Sequence, residues 1–133
     1  MPKEDKEIKD KMVDLRKQIL NADDLKTERV FVPEWTDQPL YIRKLTSIER
    51  DELERDVVQF NSDGTVEQNM VNFRGKLLVR TLCSDSEGRI RIFTDSDAEL
   101  IGQKSADAVN KCFSKSKQLS GISEEDQEKL VKN

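Results

Sequence analysis

The sequence contains no histidine, and this absence removes much of the chemistry that a small enzyme needs. Histidine is the commonest general base and metal ligand, and it completes the Ser and Cys catalytic triads. The glycines stand singly and far apart, so there is no glycine-rich phosphate loop. We therefore expect a protein that is not an enzyme, with no catalytic residues, no metal site and no cofactor.

Cysteine is nearly as scarce. Cys83 and Cys112 stand 29 positions apart, without the companion ligands that a zinc site requires. Each has apolar neighbours in a helix-like pattern, and free cysteine is among the residue types most often buried. We interpret both as reduced core thiols; a disulfide or redox pair is the alternative.

Long apolar runs are missing too. None approaches the ~20 residues that a membrane-spanning helix needs, and the first ten residues, MPKEDKEIKD, lack the apolar centre of a signal peptide. We therefore expect no membrane partner and a cytoplasmic location. The net charge of −4 and a pI near 5.0 argue against a nucleic-acid partner, which requires a basic face.

Charge of both signs is abundant. Of the 133 residues 38% are charged and 35% hydrophobic, and the 27 acidic and 23 basic side chains nearly cancel. This composition indicates one small core under a heavily charged surface. The densest acidic group (Glu49, Asp51, Glu52, Glu54, Asp56) is interleaved with arginines, so we interpret it as the solvated face of a helix; an acid–base pair or a divalent-ion site is the alternative.

The first 27 residues predict an amphipathic helical segment. Ile8, Met12, Leu15 and Ile19 are spaced 4, 3 and 4 apart, which places them in one row on a helix. The row could dock on the rest of the chain, pair with another copy, or wait for a partner. We predict that it contacts a partner protein.

Residues 29–45 predict a β-hairpin, with Val30 and Val32 alternating in one strand and Leu40 and Ile42 in the other. Trp35 lies in the turn-rich link between them. Two hypotheses apply to Trp35: a lid on the hairpin–helix core, or an exposed contact for a partner.

Residues 28–133 predict one α+β domain, a small antiparallel hairpin or sheet packed against four to five helices. Capping boxes at Thr46–Glu49, Thr65–Gln68 and Ser96–Glu99 predict helices over 47–60, 66–83 and 96–102. The first would bury Ile48, Leu53, Val57 and Phe60. Gly75 inside the second suggests close approach of another element. A strand is expected over 89–93, a helix over 105–121, and a last helix from Ser123 in which Leu130 is a further partner contact.

Several short stretches resemble the tail assembly chaperones of long-tailed bacteriophages and prophages. They are Val32 to Trp35, Arg43 to Thr46, Val79 to Leu82 with Asp85 and Gly88, and Ser120 to Asp126. No stretch is specific by itself; their order and spacing over about residues 28–133 carry the resemblance.

The resemblance implies a non-enzymatic protein that binds the tape measure protein, keeps it soluble in the bacterial cytoplasm and is absent from the mature virion. It further implies association with its own frameshift-extended form, with the major tail (tube) protein and with copies of itself. Val131–Asn133 is compatible with a slippery codon run. The alternative is a small adaptor or regulatory module that binds a single partner protein.

Overall fold

The computed structural model describes residues 3–121, which form an α+β fold. Helix α1 (Lys3–Asn21) precedes a hairpin of β1 (Thr27–Val30) and β2 (Leu40–Arg43). The next elements are α2 (Ser47–Asp56), a second hairpin of β3 (Val58–Phe60) and β4 (Val66–Gln68), α3 (Phe73–Thr81) and β5 (Leu82–Cys83). A 3₁₀ turn (Asp95–Asp97), α4 (Ala98–Gly102) and α5 (Ala106–Leu119) complete these elements. The helix predicted from Ser123 lies outside the described residues.

The predicted hairpin of residues 29–45 is confirmed. Strands β1 and β2 pair antiparallel with Val30 opposite Leu40, and β5 adds a third antiparallel strand beside β2. Val32 lies beyond the end of β1 but is fully buried. The valine alternation therefore identifies the buried side of the chain, although regular pairing ends earlier.

The predicted helix 47–60 begins as expected, and its capping box is confirmed. The Thr46 hydroxyl accepts from the Glu49 amide at 3.1 Å, and a Glu49 carboxylate oxygen accepts from the Thr46 amide at 3.0 Å. The end of this helix was wrong: α2 stops at Asp56. Leu53 and Val57 are buried as predicted, but Ile48 and Phe60 are 70% and 77% exposed.

The predicted long helix over 66–83 was wrong in its first part, although helix α3 occupies 73–81 of that range. Val66 to Gln68 form β4, which pairs antiparallel with β3 across a turn in which Gly64 has φ +86°. The Thr65 hydroxyl donates to the Asp63 carboxylate at 2.6 Å, inside that turn, and caps no helix. The polar side chains that could cap a helix here form the hairpin turn instead. The alternation of Val58 and Phe60 also favours pairing as a strand.

Helix α3 is central, although shorter than predicted, and contacts α2, α4 and α5. The close approach expected at Gly75 is confirmed, since a Cβ atom there would lie 2.6 Å from the Ala98 carbonyl oxygen. Asn72, with left-handed φ 58°, donates from its side-chain amide to that same oxygen at 2.8 Å. Gly75 and Asn72 thereby fix the distance between α3 and α4.

Residues 89–93 form no regular strand: Arg91 makes one antiparallel bridge with Cys83. The third capping box is shifted, because Asp97 accepts from the Thr94 amide at 2.9 Å. Helix α4 ends at Gly102 as predicted, and Ser105 caps α5 by accepting from the Ala108 amide at 3.2 Å.

The core has two parts. The main core joins the three-stranded sheet to α3, α4 and α5; its buried side chains are Val30, Val32, Ile42, Leu78, Val79, Leu82, Ile101, Ala108, Val109 and Cys112. A second cluster lies under α2 and comprises Leu53, Val57, Phe73, Leu77 and Phe113. Cys83 and Cys112 are both buried free thiols, as interpreted from the sequence.

Candidate partner-binding surfaces

The predicted row on α1, called the apolar stripe from here on, lies in solvent. Its members Ile8, Met12, Leu15 and Ile19 are 57%, 63%, 45% and 71% exposed. Helices in proteins are held mainly by packing of their apolar face. The apolar stripe therefore has the composition of a contact surface without a contact among the described residues.

The exposed apolar area of α1 is wider than the sequence pattern indicated. Val13 and Leu20 are 51% and 65% exposed, and Leu20 helps to line a shallow groove of about 390 Å³ along the helix. Met12, Leu15, Arg16 and Ile19 line the rest of this groove. Exposed apolar side chains grouped in this way are characteristic of interaction surfaces.

Trp35 lies beside the main core and lines a cleft. The backbone amide of Trp35 donates to the Val32 carbonyl at 3.0 Å, which turns the chain so that the half-buried indole packs on the main core. This position agrees with the hypothesis that Trp35 covers a core. That core is formed by the sheet with α3, α4 and α5, and not by the hairpin with α2. A role of Trp35 toward a partner stays a prediction.

The cleft at Trp35, called the Trp35 cleft, has a volume of about 330 Å³. Its walls are mostly apolar and come from four parts of the chain, and Glu34 and Lys104 supply charge to the lining. The Glu34 carboxylate accepts from the Lys111 ammonium at 2.8 Å, which fastens this link to α5. The lining residues are Glu34, Trp35, Thr36, Leu40, Leu82, Ile92, Phe93, Ile101 and Lys104.

The hairpin β3–β4 carries an exposed apolar pair that the sequence analysis missed. Phe60 and Val66 are cross-strand partners and are 77% and 52% exposed. The available signal was the alternation of Val58 and Phe60 on one side of the Asn61–Gly64 turn and of Val66 on the other. Assigning both segments to helices concealed it.

The acidic face of α2 is less solvated than predicted, and Glu49 is the clearest correction. Glu49 is 8% exposed and accepts two hydrogen bonds of 2.7 Å from the Arg43 guanidinium. Burial alone would raise the pKa of Glu49, but the hydrogen bonds from Arg43 and from the Thr46 backbone hold it below its ordinary value. The capping role and the ion pair thus use the same carboxylate.

The Arg43–Glu49 pair continues into a chain of charges across the molecule, called the charge network. Arg91 lies 3.6 Å from Glu49 and donates to Asp95 at 2.6 Å, and this hydrogen bond holds the pKa of Asp95 below its usual range. Arg80 lies 3.7 Å from Asp95 and donates to Asp56 at 2.8 Å. The charge network joins β2, α2, α3 and the 89–95 segment.

The charge network also occupies basic residues on α3 and in the segment after it. Arg80 is 1% exposed, and Arg91 donates to the Val79 carbonyl at 2.7 Å and 3.0 Å from two of its nitrogens. Both guanidiniums are occupied by internal acceptors. Guanidiniums engaged in this way are less available for the phosphate contacts of a nucleic-acid patch.

The remaining expectations from the sequence concern Leu130, a membrane span, a metal site and Cys112. Leu130 lies outside the described residues. Within residues 3–121 no helix is both long and apolar enough to span a bilayer, and no group of three or more potential metal ligands comes together in that range. Burial raises the pKa of the Cys112 thiol to about 11, as expected of an unreactive core cysteine.

Comparison with known proteins agrees with the resemblance in the sequence. The solved structure of the bacteriophage HK97 tail assembly chaperone is similar to this chain with a TM-score of 0.51 and 17% identity, covering 81% of this chain and 96% of that one. At this identity the likeness concerns the fold alone. No curated protein matches. A family model described as phage tail assembly chaperone matches residues 14–130, from within α1 onward. The chain therefore belongs to the phage tail assembly chaperone family.

Proposed function

We propose that this protein binds the tape measure protein of its phage through the apolar stripe of α1 and keeps it soluble while the tail is assembled. The observation that carries the proposal is the complete exposure of an amphipathic helix in a member of a tail assembly chaperone family. An amphipathic helix recognises other helices by its row of apolar side chains. A long helical client would offer many such rows.

Trp35 and Leu130 are proposed as additional contacts. The Trp35 cleft is open and apolar, which suits the insertion of one large side chain from a client. A half-buried tryptophan at the edge of a pocket is also a residue type that often dominates binding energy. We propose that the cleft receives an anchor residue while the apolar stripe holds the client helix.

The wider role follows from the same proposal. The protein acts by binding and not by catalysis, in the cytoplasm of the host bacterium, and it leaves before the virion is complete. Its other proposed partners are a frameshift-extended form of itself, the major tail protein and further copies of this chain. Several copies along one client would together cover far more apolar surface than one copy can.

Co-expression with the tape measure protein tests the proposal. We expect the wild-type chain to keep that protein in the soluble fraction, and a chain with Met12→Ser, Leu15→Ser and Ile19→Ser to fail. The matched control, Lys6→Ser, Asp10→Ser and Asp14→Ser, changes the opposite side of the same helix and should keep full activity. Circular dichroism of each purified chain shows whether the domain is folded.

Two results would contradict the proposal in different ways. If the tape measure protein stays insoluble with the wild-type chain, it is not the client of this protein. Retention of activity by the folded stripe variant would reject α1 as the binding surface. Trp35→Phe tests the contribution of the cleft separately from that of the stripe. The smaller ring keeps the packing on the main core but offers a client less contact area at the cleft.

A further inference from the structure

Charged side chains border the apolar stripe of α1, and beyond the first turn those at the border are basic. At 3.6 residues per turn, Lys9 and Arg16 flank the stripe on one side and Lys11 flanks it on the other. The acidic side chains beyond the first turn, Glu7, Asp10 and Asp14, lie on the far side of the helix together with Lys6 and Lys17. All these side chains are exposed. Beyond the first turn, the border of the stripe is therefore cationic, although the helix carries both signs.

We propose that the apolar stripe binds an amphipathic helix whose own apolar row is bordered by Asp and Glu. This inference rests on the proposed function in placing a helical client on α1, and it adds the chemical class of client segment that α1 selects. When two helices pack along apolar rows, their bordering side chains face each other and determine partner choice. Opposite charges there favour the pair, and like charges oppose it.

A second copy of α1 fits this surface less well than an acidic helix. In antiparallel pairing of two stripes, Lys9 of one helix faces Arg16 of the other, and this contact occurs twice. In parallel pairing, Lys11 faces Arg16. The only favourable parallel contact joins Glu4 of one helix to Lys9 of the other. The border of the stripe therefore disfavours antiparallel α1–α1 pairing, whereas in parallel pairing the favourable and unfavourable contacts balance.

An anionic membrane surface fits less well than an acidic helix. Helices that lie on membranes carry Lys and Arg over their polar face, whereas the far face of α1 carries Glu7, Asp10 and Asp14. The far face also carries Lys6 and Lys17, so its charges are mixed, whereas the charged side chains at the border beyond the first turn are all basic. This arrangement favours a narrow partner over a flat charged surface.

The size of the stripe limits what it can hold. Ile8 to Ile19 span ~17 Å along the axis at 1.5 Å per residue, about three turns of a partner helix. Four apolar side chains form a small contact, so the bordering ion pairs supply most of the discrimination between one client helix and another. Exposed pairs contribute little individually and are weakened by salt.

Three synthetic helical peptides test the inference on the full-length chain. They share one leucine row and differ only in its border, which is Glu, Gln or Lys. Fluorescence anisotropy at low and high salt measures each affinity. We expect the Glu-bordered peptide to bind about tenfold more tightly than the Lys-bordered one at low salt, from three exposed ion pairs, with the difference shrinking at high salt.

Charge reversal on the protein completes the test. A chain with Lys9→Glu, Lys11→Glu and Arg16→Glu should prefer the Lys-bordered peptide. The matched control with Glu7→Lys, Asp10→Lys and Asp14→Lys changes as many charges on the far side and should still prefer the Glu-bordered peptide. A reversed preference in the first chain and not in the second would support the inference.

The failures are distinguishable. Equal binding of all three peptides would overturn the inference and leave the tape measure proposal standing, provided the wild-type chain still solubilises that protein. The inference is also overturned if no peptide binds, if sedimentation shows a dimer that Leu15→Asp dissociates, or if α1 binds anionic vesicles in preference to the Glu-bordered peptide. An insoluble tape measure protein with the wild-type chain rejects the proposed function whichever peptide is preferred.

Discussion

Helices α1 and α5 have the same kind of sequence, but the apolar side of α5 is buried and that of α1 is exposed. Both are amphipathic, with 19 and 14 residues respectively. The apolar side of α5 is buried: Val109, Cys112 and Phe113 lie against α3 and the sheet. The apolar stripe of α1 is exposed along its whole length. Periodicity therefore specifies that a helix has an apolar face, but what covers that face depends on the rest of the molecule.

The difference between the two faces is also one of content. The buried face of α5 includes an aromatic ring, with Phe113 packed edge-on against Phe73 at 6.1 Å between centroids. It also includes Ser116, whose hydroxyl donates to Thr81 at 2.9 Å. These contacts are specific to one neighbour. The exposed stripe of α1 has no comparable ring or hydroxyl contact among residues 3–121.

The largest expected change in stability comes from truncating a buried side chain of α5. Phe113→Ala removes a ring from the second cluster and should lower the free energy of unfolding by ~3–5 kcal/mol. Urea denaturation followed by circular dichroism measures it. The control Ser114→Ala, at an exposed position of α5, should change it by less than ~0.5 kcal/mol. A small effect of Phe113→Ala would mean that α5 is not held by this cluster.

The next effect concerns the ion pair beneath α2. Glu49→Gln leaves the Arg43 guanidinium buried without its charged partner and should cost about 3 kcal/mol at neutral pH. The folded-state pKa of Glu49 lies below its ordinary value of 4.5, so its carboxylate contributes stability above that value. This contribution is lost as the pH falls through the unfolded and then the folded pKa.

The wild-type chain should therefore lose unfolding free energy on acidification more steeply than the Glu49→Gln chain. Denaturation curves at a series of pH values measure this slope. Parallel slopes in the two chains would mean that Glu49 is not ionised and paired in the folded protein. The matched control Glu54→Gln changes a more exposed carboxylate of the same helix and should leave most of the slope intact.

A moderate effect is expected at the start of α5. Ser105→Ala removes the hydroxyl that accepts from the Ala108 amide and should cost ~1 kcal/mol. Ser105→Asp should restore stability, because a carboxylate can accept the same hydrogen bond and favours the positive end of the helix dipole. Thermal unfolding of the three chains checks the order. An alanine variant as stable as the wild type would remove capping as the reason why α5 begins there.

The smallest effect sharpens the comparison from the exposed side. Leu15→Ala should change the free energy of unfolding by less than ~0.5 kcal/mol, because its side chain is exposed in the unbound chain. Amide hydrogen exchange should be fast throughout α1 and slow in the centre of α5, where opening requires the core to separate. Slow exchange in α1 of the isolated chain would show that something already covers the stripe.

Much of the fold could be predicted because local rules and tertiary packing agree there. The Thr46–Glu49 capping box, the Ser105 cap and the close contact at Gly75 are each decided by neighbours in sequence or by one residue type. The segment 58–72 failed because the polar residues of a helix cap and of a hairpin turn are the same. Its short strands are exposed, so their apolar side chains do not report burial.

The surfaces were harder to predict than the elements. The apolar stripe was identified from its spacing, and its exposure became known only from the structure. The Trp35 cleft combines residues from Glu34 to Lys104, which no local pattern relates. The charge network is similarly distant in sequence, since Arg43, Asp56 and Arg91 belong to different elements. Residues of this kind become related only when the core brings their elements together.

The position of Trp35 has a practical consequence for following the protein in solution. It is the only tryptophan of the chain, and its half-buried indole lines the cleft and does not lie in the centre of the core. The tryptophan fluorescence of the chain therefore reports on a single place on the surface. Entry of a client side chain into the cleft would displace water from the indole and shift its emission, so the unlabelled chain can signal occupancy of the cleft as it happens.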